Sequence, residues 1–562
     1  MSQPPILQQP SQALAWLQQH LAPGASLRDD SRAVQPGDAF FALPSQSAQG
    51  RPLARPAQLA AHIEAASAAG AAALLVDAQA AQAWLAARAA GQAQAQALPA
   101  LALYPQLRQA SGEIAALWHG QPSQALDVVA ITGTNGKTTL AWWLAHVLGL
   151  AGRPCGYVGT LGVGMPPQAL RDTGLTSPGP LLLQAALHDM QRQGASACAI
   201  EASSIGLEQA RLAGTRIRVA AFTNFTQDHL DYHGSMQAYG AAKRLLFDWP
   251  GLQAAVLNAQ DAYGQSLRQA LLARPGLALW DYAVQADGLP AATARLCAQG
   301  VQFDGDSVRF EVLEYAPAAQ SAAQGEVSAP LRQAQVRARV TGLYSVQNLM
   351  ALLGMLRAMG LELEQAAQLC RQVPAVPGRM QMLAQPGKPL VVVDYAHTSD
   401  ALRAVLQALR PVAAQRGGRL SVLFGCGGDR DAGKRPLMAM AAAQTADALW
   451  ITSDNPRSED PLAIIAQIET GLTPAQRAAA KVLPERRAAI AAAVAAAAAH
   501  DVLLLAGKGH EAYQEIKGVR HPFSDLDEAQ QALAGWGSAK NKQEEGNDEN
   551  DKRGQAPSGV AA

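Results

Sequence analysis

Residues 128–139 constrain the fold of this chain more than any other segment. They begin as the apolar run Val-Val-Ala-Ile, which breaks into the glycine-bounded loop Thr-Gly-Thr-Asn-Gly-Lys-Thr-Thr, and residues 140–145 continue as a helix pattern. Such a loop between a strand and a helix offers backbone N–H groups, a lysine and a hydroxyl to phosphate groups. The segment therefore predicts a nucleotide-binding loop in an α/β domain. An ordinary tight turn is the alternative, because Ile131 stands where the first glycine of the usual motif falls.

Length and charge limit the classes of protein that this chain can belong to. Its 562 residues are too many for one hydrophobic core, and this length suggests about three to four domains. Lys plus Arg number 45, as do Asp plus Glu, so the formal net charge is zero. This balance argues against a nucleic-acid partner and against binding to anionic membranes through bulk charge.

Cysteine usage and hydropathy indicate the cellular compartment. The five cysteines are scattered without the paired spacing of a metal site, which favours a reducing environment over a disulfide framework. The N-terminal residues lack a basic segment followed by an apolar core. No segment reaches the roughly 18 uninterrupted apolar residues of a membrane helix, and the alanine-rich run 488–499 has the pattern of an ordinary helix. We expect a cytoplasmic protein without membrane insertion.

The order of the apolar runs predicts three α/β domains and a tail. Residues 1–124 read as a small α/β domain, residues 125–371 cycle through strand, loop and helix, and residues 372–535 repeat that cycle. Buried strands separated by helices predict a doubly wound parallel sheet in the central domain. The predicted strands of the last two domains are 128–131, 197–201, 220–223, 254–258, 389–394, 421–424, 448–452 and 502–506. The polar composition of residues 536–562 predicts a disordered tail.

Acids, hydroxyls and histidines follow the predicted central strands, at the sheet edge where α/β proteins bind ligands. These residues are 134–139, Glu201, Ser203, Ser204, 223–234, Asn258 and Asp261. Mg²⁺ prefers hard oxygen ligands, so the Thr138 hydroxyl and the Glu201 carboxylate fit a metal–triphosphate site. His229 is either a ligand or a hydrogen-bonding loop residue. By itself, the helical pattern around Lys243 predicts a solvated lysine.

Several strings of residues occur in the order found in the Mur ligases, and the chain resembles that family over roughly residues 25–530. The strings are 133–139 (Gly-Thr-Asn-Gly-Lys-Thr-Thr), 201–204 (Glu-Ala-Ser-Ser), 223–224 (Thr-Asn), 228–233 (Asp-His-Leu-Asp-Tyr-His), 394–398 (Asp-Tyr-Ala-His-Thr), 424–431, 454–457 (Asp-Asn-Pro-Arg) and 507–511 (Gly-Lys-Gly-His-Glu). The resemblance implies an N-terminal domain for a UDP moiety, a central P-loop-type ATPase and a C-terminal Rossmann-like domain for an incoming amino acid.

The resemblance also implies roles for individual residues. ATP contacts fall on Gly133, Thr134, Asn135, Gly136, Lys137, Thr138, Thr139, Asn348, Arg379 and Asp394. The implied catalytic residues are Lys137, His229 and Lys243. The implied Mg²⁺ ligands are Thr138, Glu201, His229 and Lys243, the last as a carbamate. A carbamate changes a lysine from a cation into an oxygen ligand for a metal. Contacts to a UDP-N-acetylmuramoyl-dipeptide fall on Ser31, Thr176, Ser177, Ser203, Gln209 and Arg211.

The choice of amino acid is expected at residues 454–457, which are similar to the diaminopimelate-adding branch of the family. Diaminopimelate carries a distal carboxylate that lysine lacks, and an arginine can bind a carboxylate in bidentate fashion. A surface salt bridge is the alternative for Arg457. The implied contacts to meso-diaminopimelate are Arg430, Asp454, Asn455, Pro456, Arg457, Gly507 and Glu511, with Glu511 suited to the distal ammonium.

The chain departs from the family pattern at three places. Residues 43–47 lack the family's glycines, which leaves the UDP contacts beyond Ser31 open; Ile205 replaces a common histidine, and Ser345 replaces an asparagine. The last two positions look peripheral to phosphoryl transfer.

The implied reaction is ATP-dependent amide formation through an acyl phosphate in peptidoglycan precursor synthesis, by a monomeric enzyme. A lysine-adding Mur ligase, a folylpolyglutamate-type ligase and a non-catalytic ATP-binding switch are the alternatives.

Overall fold

The computed structural model describes residues 3–43, 56–89, 98–287, 294–304, 307–317 and 329–536. Of the predicted disordered tail, residues 536–562, only Trp536 belongs to the described residues. Residues 44–47 also lie outside them. The chain forms two compact units. The first comprises residues 1–340 and 345–374, and the second comprises residues 341–344 and 375–562.

Helices and strands alternate along most of the described chain. The helices are α1 (Pro10–His20), α2 (Pro56–Ala68), α3 (Ala78–Ala89), α4 (Leu107–Trp118), α5 (Lys137–Leu150), α6 (Pro180–Arg192), α7 (Ser204–Glu208), α8 (Leu230–His233), α9 (Met236–Arg244), α10 (Ala262–Leu271), α11 (Leu343–Ala358), α12 (Leu363–Cys370), α13 (Ser399–Arg416), α14 (Lys434–Thr445), α15 (Pro461–Glu469), α16 (Pro474–Ala479), α17 (Arg486–Ala496) and α18 (Asp525–Ala534). Short 3-10 turns lie at Ser31–Ala33 and Pro122–Gln124.

The strands are β1 (Leu27–Arg28), β2 (Ala39–Ala42), β3 (Ala73–Asp77), β4 (Ala100–Tyr104), β5 (Asp127–Thr132), β6 (Cys155–Gly159), β7 (Gly162–Gly164), β8 (Ala197–Glu201), β9 (Val219–Phe222), β10 (Ala254–Asn258), β11 (Ala278–Val284), β12 (Leu296–Asp304), β13 (Ser307–Glu314), β14 (Arg332–Ala338), β15 (Gln381–Leu383), β16 (Leu390–Asp394), β17 (Leu420–Phe424), β18 (Ala448–Ile451), β19 (Lys481–Val482), β20 (Val502–Ala506), β21 (Tyr513–Ile516) and β22 (Val519–Pro522).

The first unit contains a four-stranded sheet and a ten-stranded sheet. The small sheet is parallel in the order β1-β2-β3-β4. The large sheet has the order β14-β13-β12-β11-β10-β9-β5-β8-β6-β7, and its strands from β12 to β6 pair in parallel. Between β8 and β9 the chain crosses from one side of β5 to the other, which places the loop after β5 where α/β sheets bind ligands.

The prediction of an α/β fold is confirmed. In the described residues the large sheet has six strands beyond the four predicted ones, namely β6, β7 and β11 to β14. Strands β12, β13 and β14 pair antiparallel at one edge of that sheet. Along β13 the buried residues Val308, Phe310 and Val312 alternate with more exposed ones, which is the pattern of a strand with one solvated face. The sequence analysis does not predict this strand, because its alternating residues form no continuous apolar run.

The second unit contains a six-stranded sheet in the order β15-β16-β20-β17-β18-β19, parallel except for the β15–β16 pair. Neighbouring residues on β16 enter different hydrophobic cores: Val392 packs in one core and Val391 and Val393 pack in the other. Both faces of the strand are buried, which explains its uninterrupted apolar sequence. All five cysteines are buried free thiols. Within the described ranges, no helix combines the length and the apolar character that a membrane crossing needs.

Candidate active site

The loop of residues 133–136 joins β5 to α5 and depends on two glycines. Gly133 has φ +141°, and a Cβ there would lie 1.9 Å from the Thr223 hydroxyl oxygen. Gly136 has φ +91°, and its Cβ would lie 2.8 Å from Oδ1 of Asn348. Both positions therefore combine a backbone conformation that favours glycine with a close neighbour. The second contact also places Asn348, predicted as an ATP contact, beside the loop.

Residues that follow β9 hold this loop in place. The Asn224 side chain accepts a hydrogen bond from the Asn135 backbone N–H (2.9 Å) and donates one to the Asn135 carbonyl (3.1 Å). The Thr223 hydroxyl donates to the same carbonyl at 2.6 Å. The Thr134 hydroxyl donates to the Thr226 carbonyl at 3.1 Å and lies 3.2 Å from the Tyr239 hydroxyl. The predicted loop and the predicted string at 223–224 are thus one hydrogen-bonded structure.

Lys137 is the first residue of α5, and its side chain turns back over the loop. Its Nζ donates to the carbonyl oxygens of Gly133 (2.9 Å) and Thr134 (2.8 Å). Thr138 and Thr139 follow in the first turn, with Thr138 buried and Thr139 half-buried. A helix N-terminus with an adjacent ammonium group is an electropositive position suited to phosphate oxygens.

Glu201 ends β8 with a buried carboxylate that several groups hold. Oε2 accepts hydrogen bonds from the hydroxyls of Thr138 (2.8 Å) and Thr160 (3.1 Å). Oε1 accepts from the Tyr157 hydroxyl (2.7 Å) and from the Thr160 backbone N–H (2.8 Å). Hydroxyl and carboxylate oxygens beside a phosphate-binding loop are the ligand types that Mg²⁺ prefers, so these residues fit that ion. Sequence reasoning missed Tyr157 and Thr160, which no string marks.

The helical pattern predicts a solvated Lys243, and this prediction is wrong. The side chain is buried near the loop. The residue is 1% exposed, and its Nζ donates to the Gly133 carbonyl at 2.9 Å. Gly240, on the same helix α9, allows that helix to approach Tyr263 closely, since a Cβ there would lie 2.9 Å from the Tyr263 ring. Burial, reinforced by the charge of Lys137, holds the pKa of Lys243 well below its ordinary value against the opposing effect of Asp228.

His229 and Lys243 both lie near the ring of Tyr239. It precedes α8 with φ +54°, a conformation uncommon outside glycine. Its Nε2 lies 3.5 Å from Oδ2 of Asp228, and its ring packs edge-on against Tyr239 at 6.0 Å between centroids. The Tyr239 ring in turn lies 4.2 Å from Nζ of Lys243. The structure therefore places His229 and Lys243 next to the same tyrosine ring.

The residues implied in dipeptide binding form a chain of contacts next to Glu201. The Thr176 hydroxyl lies 3.1 Å from that of Thr160, and the Ser177 hydroxyl donates to the Glu201 carbonyl at 2.7 Å. The Ser177 and Ser203 hydroxyls are 3.0 Å apart. Arg211 completes the chain by donating to the Ser177 carbonyl (2.9 Å) and to Oε1 of Gln209 (2.8 Å and 3.1 Å).

Three further positions from the sequence lie elsewhere in the first unit. Ser31 belongs to the 3-10 turn near the small sheet, where its buried hydroxyl lies 3.2 Å from Nδ1 of His62. The two departures from the family pattern are accommodated locally. Ile205 lies half-buried in α7, and Ser345 is buried in α11.

In the second unit, Asp394 ends β16 and Arg379 precedes β15. The Asp394 carboxylate accepts hydrogen bonds from the backbone N–H groups of Met380 (2.7 Å) and Ala396 (2.8 Å). Burial raises the pKa of Asp394, although Arg379 and these hydrogen bonds oppose that shift. The Arg379 guanidinium stacks over the Tyr395 ring at 4.4 Å. These two predicted nucleotide contacts therefore lie side by side.

The residues implied in amino-acid binding also gather in the second unit. The Asn455 side chain donates to Oε2 of Glu511 at 2.9 Å. Arg457 has φ +50°, donates through Nη1 to the Gly428 carbonyl at 2.7 Å and has Nε 3.7 Å from Oε2 of Glu515. The other predicted members are in contact with this group or adjacent to it. A Cβ on Gly507 would lie 2.6 Å from Oδ2 of Asp454. A Cβ on Gly428 would lie 2.0 Å from the Pro456 carbonyl oxygen. The exposed Arg430 donates to the Asp429 carbonyl at 3.2 Å.

Charge inside this second group is balanced by residues that sequence reasoning missed. Burial favours the neutral form of Asp454, but the charges of Lys508 and Arg486 outweigh burial and lower the pKa of that carboxyl. Lys508 is completely buried. It lies within the string 507–511, so its position was visible in the sequence, but its burial was not.

Together, the fold and these sites define an α/β protein with a glycine-containing loop at a helix N-terminus in one unit and a cluster of charged and polar residues in the other. Residues 131–356 match the Mur ligase middle domain, and residues 378–509 match the domain described as Mur ligase, glutamate ligase domain. The chain belongs to the Mur ligase family.

Relatives align along most of the chain. A UDP-N-acetylmuramoyl-L-alanyl-D-glutamate--2,6-diaminopimelate ligase of Acidovorax sp. (strain JS42) is 48% identical over 93% of this chain and 97% of its own length. The protein of the same name from Ectopseudomonas mendocina (strain ymp) is 44% identical over 91% of this chain and 95% of its own length. A solved structure of a ligase of that name is 34% identical, with a TM-score of 0.57 over 91% of this chain and 94% of its own.

Proposed function

We propose that this protein is an ATP-dependent amide ligase that adds meso-diaminopimelate to UDP-N-acetylmuramoyl-L-alanyl-D-glutamate. The observation that carries the proposal is the phosphate-binding loop with Lys137 on its carbonyls and the Thr138–Glu201 pair beside it. The relatives' names support the choice of substrates. The reaction belongs to the synthesis of a peptidoglycan precursor.

The reaction has two bond-forming steps. An oxygen of the D-glutamate γ-carboxylate attacks the γ-phosphorus of ATP, the bond from that phosphorus to the bridging oxygen breaks, and ADP leaves. The amine of meso-diaminopimelate then attacks the acyl carbon, the bond from that carbon to the phosphate oxygen breaks, and the nitrogen loses a proton. The first step brings two anions together, so Lys137 and the helix N-terminus act by offsetting negative charge rather than by forming a covalent bond.

A bound Mg²⁺ would supply further positive charge on the phosphate oxygens, with Thr138, Glu201 and His229 as the residues that would hold it. Lys243 is the fourth member of this set, as a carbamate. Its low pKa and burial support that modification: the neutral amine nitrogen bonds to the carbon of CO₂ and loses a proton. The product carries carboxylate-like oxygens in place of an ammonium group.

The remaining assignments follow from the same proposal. Asn348, Arg379 and Asp394 contact ATP, and Ser31, Thr176, Ser177, Ser203, Gln209 and Arg211 contact the UDP-linked dipeptide. Asn455, Arg457 and Glu511, together with Arg430, Asp454, Pro456 and Gly507, surround the incoming amino acid. Residues 1–124 bind the UDP substrate, residues 125–371 bind ATP, and residues 372–535 bind the amino acid. The enzyme is monomeric and cytoplasmic.

The decisive experiment measures the mass of the product formed from UDP-N-acetylmuramoyl-L-alanyl-D-glutamate, ATP and Mg²⁺ with each of three acceptors: meso-diaminopimelate, L-lysine and L-glutamate. We expect amide formation and phosphate release with meso-diaminopimelate, because Arg457 can pair with its distal carboxylate. A preference for L-lysine or L-glutamate would instead favour one of the related ligases. ATP binding without phosphate release with any acceptor would point to a nucleotide switch.

The same assay tests the phosphate-binding loop. Lys137→Ala removes the ammonium group from the loop, and we expect product formation to fall at least about 100-fold. The matched change Lys388→Ala removes an ammonium group that donates to the Leu533 carbonyl in the second unit. It is expected to leave the rate within about twofold. Unchanged product formation by Lys137→Ala would contradict the proposed site of phosphoryl transfer.

A further inference from the structure

Lys508 is buried at the centre of the amino-acid pocket, where two glycines flank it. Its side chain has 0% exposure, and Nζ lies 3.0 Å from Oε2 of Glu511. Gly507 and Gly509 have φ +114° and +53°, and Cβ atoms there would lie 2.6 Å from Oδ2 of Asp454 and 2.7 Å from the Gly378 carbonyl oxygen. The backbone on both sides of the lysine therefore has a conformation and a closeness of approach that favour glycine.

Lys508 also determines how the Asn455 amide is oriented. Oδ1 of Asn455 accepts hydrogen bonds from Nζ of Lys508 (3.1 Å) and from the Glu515 backbone N–H (2.9 Å). Two donors on one side of the amide fix that side as the oxygen. The Nδ2 group must then point the other way, towards Oε2 of Glu511, to which it donates at 2.9 Å.

The Glu511 carboxylate is consequently held from one side only. Oε2 accepts from both Lys508 and Asn455, whereas Oε1 accepts no hydrogen bond from any residue in the described ranges. The Glu511 side chain keeps 18% exposure, unlike that of Lys508. One oxygen is therefore bound internally, and the other is left for a ligand.

The charges favour this arrangement only while Lys508 is present. Asp454 and Glu511 are two carboxylates close to its ammonium group. The nearby Arg486 is already paired with Asp525 through two hydrogen bonds of 2.7 Å and 2.6 Å. Without Lys508, the Glu511 carboxylate would lose one of its two donors, and its side chain would be free to turn.

We propose that Lys508 is a positioning residue for the acceptor amino acid. It fixes the Asn455 amide and the Glu511 carboxylate so that Oε1 of Glu511 receives an ammonium group of that amino acid. Lys508 itself does not touch the substrate. The inference rests on the proposed function, because it assigns Glu511 to the acceptor.

The test is a double-mutant cycle in the full-length protein with Lys508→Met, Glu511→Gln and both changes together. Initial rates give kcat and KM for meso-diaminopimelate and for ATP. We expect Lys508→Met to raise KM for meso-diaminopimelate about 10- to 100-fold, with kcat and the KM for ATP changed less than about threefold. Because Lys508 acts through Glu511, the double variant should match Glu511→Gln within about twofold.

The controls separate positioning from general loss of structure. Lys388→Met makes the same chemical change in the same unit and should leave KM for meso-diaminopimelate unaltered. If Lys508→Met does not fold, Lys508→Gln, which keeps a donor but loses the charge, takes its place in the cycle.

The outcomes also distinguish this inference from the proposed function. Positioning through Glu511 would be overturned if the two substitutions raise KM for meso-diaminopimelate by factors that multiply in the double variant. It would also be overturned if Lys508→Met lowers kcat and raises both KM values to the same extent. If the unmodified protein forms no amide with meso-diaminopimelate, the proposed function fails instead.

Discussion

At the scale of single residues, the nitrogens of two lysines meet on one carbonyl group of the loop after β5. Nζ of Lys137 and Nζ of Lys243 both donate to the Gly133 carbonyl at 2.9 Å. Protonation of both amines would bring two positive charges together, and this repulsion adds to burial in lowering the pKa of Lys243. Gly133 makes the arrangement possible, because any side chain there would collide with Thr223.

Gly133→Ala tests this packing. The new Cβ would meet the Thr223 hydroxyl at 1.9 Å, so we expect the free energy of unfolding to fall by about 3 kcal/mol and ATP affinity to be lost. Gly152→Ala is the matched control, since Gly152 also has a positive φ but has no atom within 4 Å of its Cβ position. It should cost about 1 kcal/mol and leave ATP affinity unchanged. Urea unfolding and ATP titration of both variants give the comparison, and equal losses would contradict the steric argument.

At the scale of elements, helices α17 and α18 are joined by one fully buried ion pair and by a second pair in which the arginine is exposed. Arg486 and Asp525 have 0% side-chain exposure, and the arginine also donates to the carbonyls of Ser453 (3.2 Å) and Ala506 (3.0 Å). The next residue, Arg487, is 59% exposed and lies 2.9 Å from Glu528. The Glu528 side chain is 10% exposed. The same two helices therefore offer a comparison between a buried arginine and an exposed one.

Arg486→Met leaves the Asp525 carboxylate buried without its partner, so we expect a loss of about 3–5 kcal/mol in the free energy of unfolding. Arg487→Met makes the same change one residue along and should cost less than about 1 kcal/mol. Chemical denaturation of the two variants measures the difference. A similar small cost for both would show that the buried pair adds little stability.

The packing of α4 against α6 makes stability depend on pH. His119 follows α4, and its ring lies 5.2 Å from that of His188 in α6. Burial first, and the neighbouring His188 second, lower the pKa of His119 to about 4, with Asp189 opposing. In the unfolded chain a histidine has a pKa of about 6.5, so between these values the unfolded chain binds more protons than the folded one.

Stability of the first unit should therefore fall as the pH falls from about 6.5 towards 4. His119→Gln should reduce this pH dependence, whatever its effect at pH 7. The exposed His521, replaced in the same way, should leave it unchanged. Urea midpoints at several pH values measure the slope, and an unaltered slope in His119→Gln would refute the assignment.

At the scale of the whole molecule, the two units have separate hydrophobic cores. The central core of the first unit contains residues of β5, β8, β9 and β10, and the main core of the second contains residues of β16, β17 and β20. Each core draws its residues from one unit. Units with separate cores can unfold as separate cooperative transitions.

Calorimetry of the full-length protein should accordingly show two unfolding transitions. Arg486→Met should lower the midpoint of one transition, and Gly133→Ala should lower the other, because the two residues belong to different units. If both variants shift a single transition, the units unfold together.

Local patterns were sufficient to predict much of the fold. Strands β8, β10 and β20 have the bounds predicted from their apolar runs, and the loop before α5 lies where the glycines and Lys137 indicated. Burial on both faces leaves a continuous apolar run in the sequence. The amphipathic strands β12–β14 leave no such run, and they were missed. Strands β6, β7 and β11 were missed as well, because glycines or an aspartate interrupt their apolar residues.

The amino-acid sequence thus determined the elements and the residue types available at their ends, because hydrophobic period and turn chemistry are local. Only the tertiary structure decided which of these residues are buried and which groups they contact. Lys243 reaches a carbonyl 110 positions away, and Lys508 reaches an amide 53 positions away. Such partners meet because of strand order and packing, which set the pKa of Lys243 and the orientation of Asn455, and no local pattern encodes them.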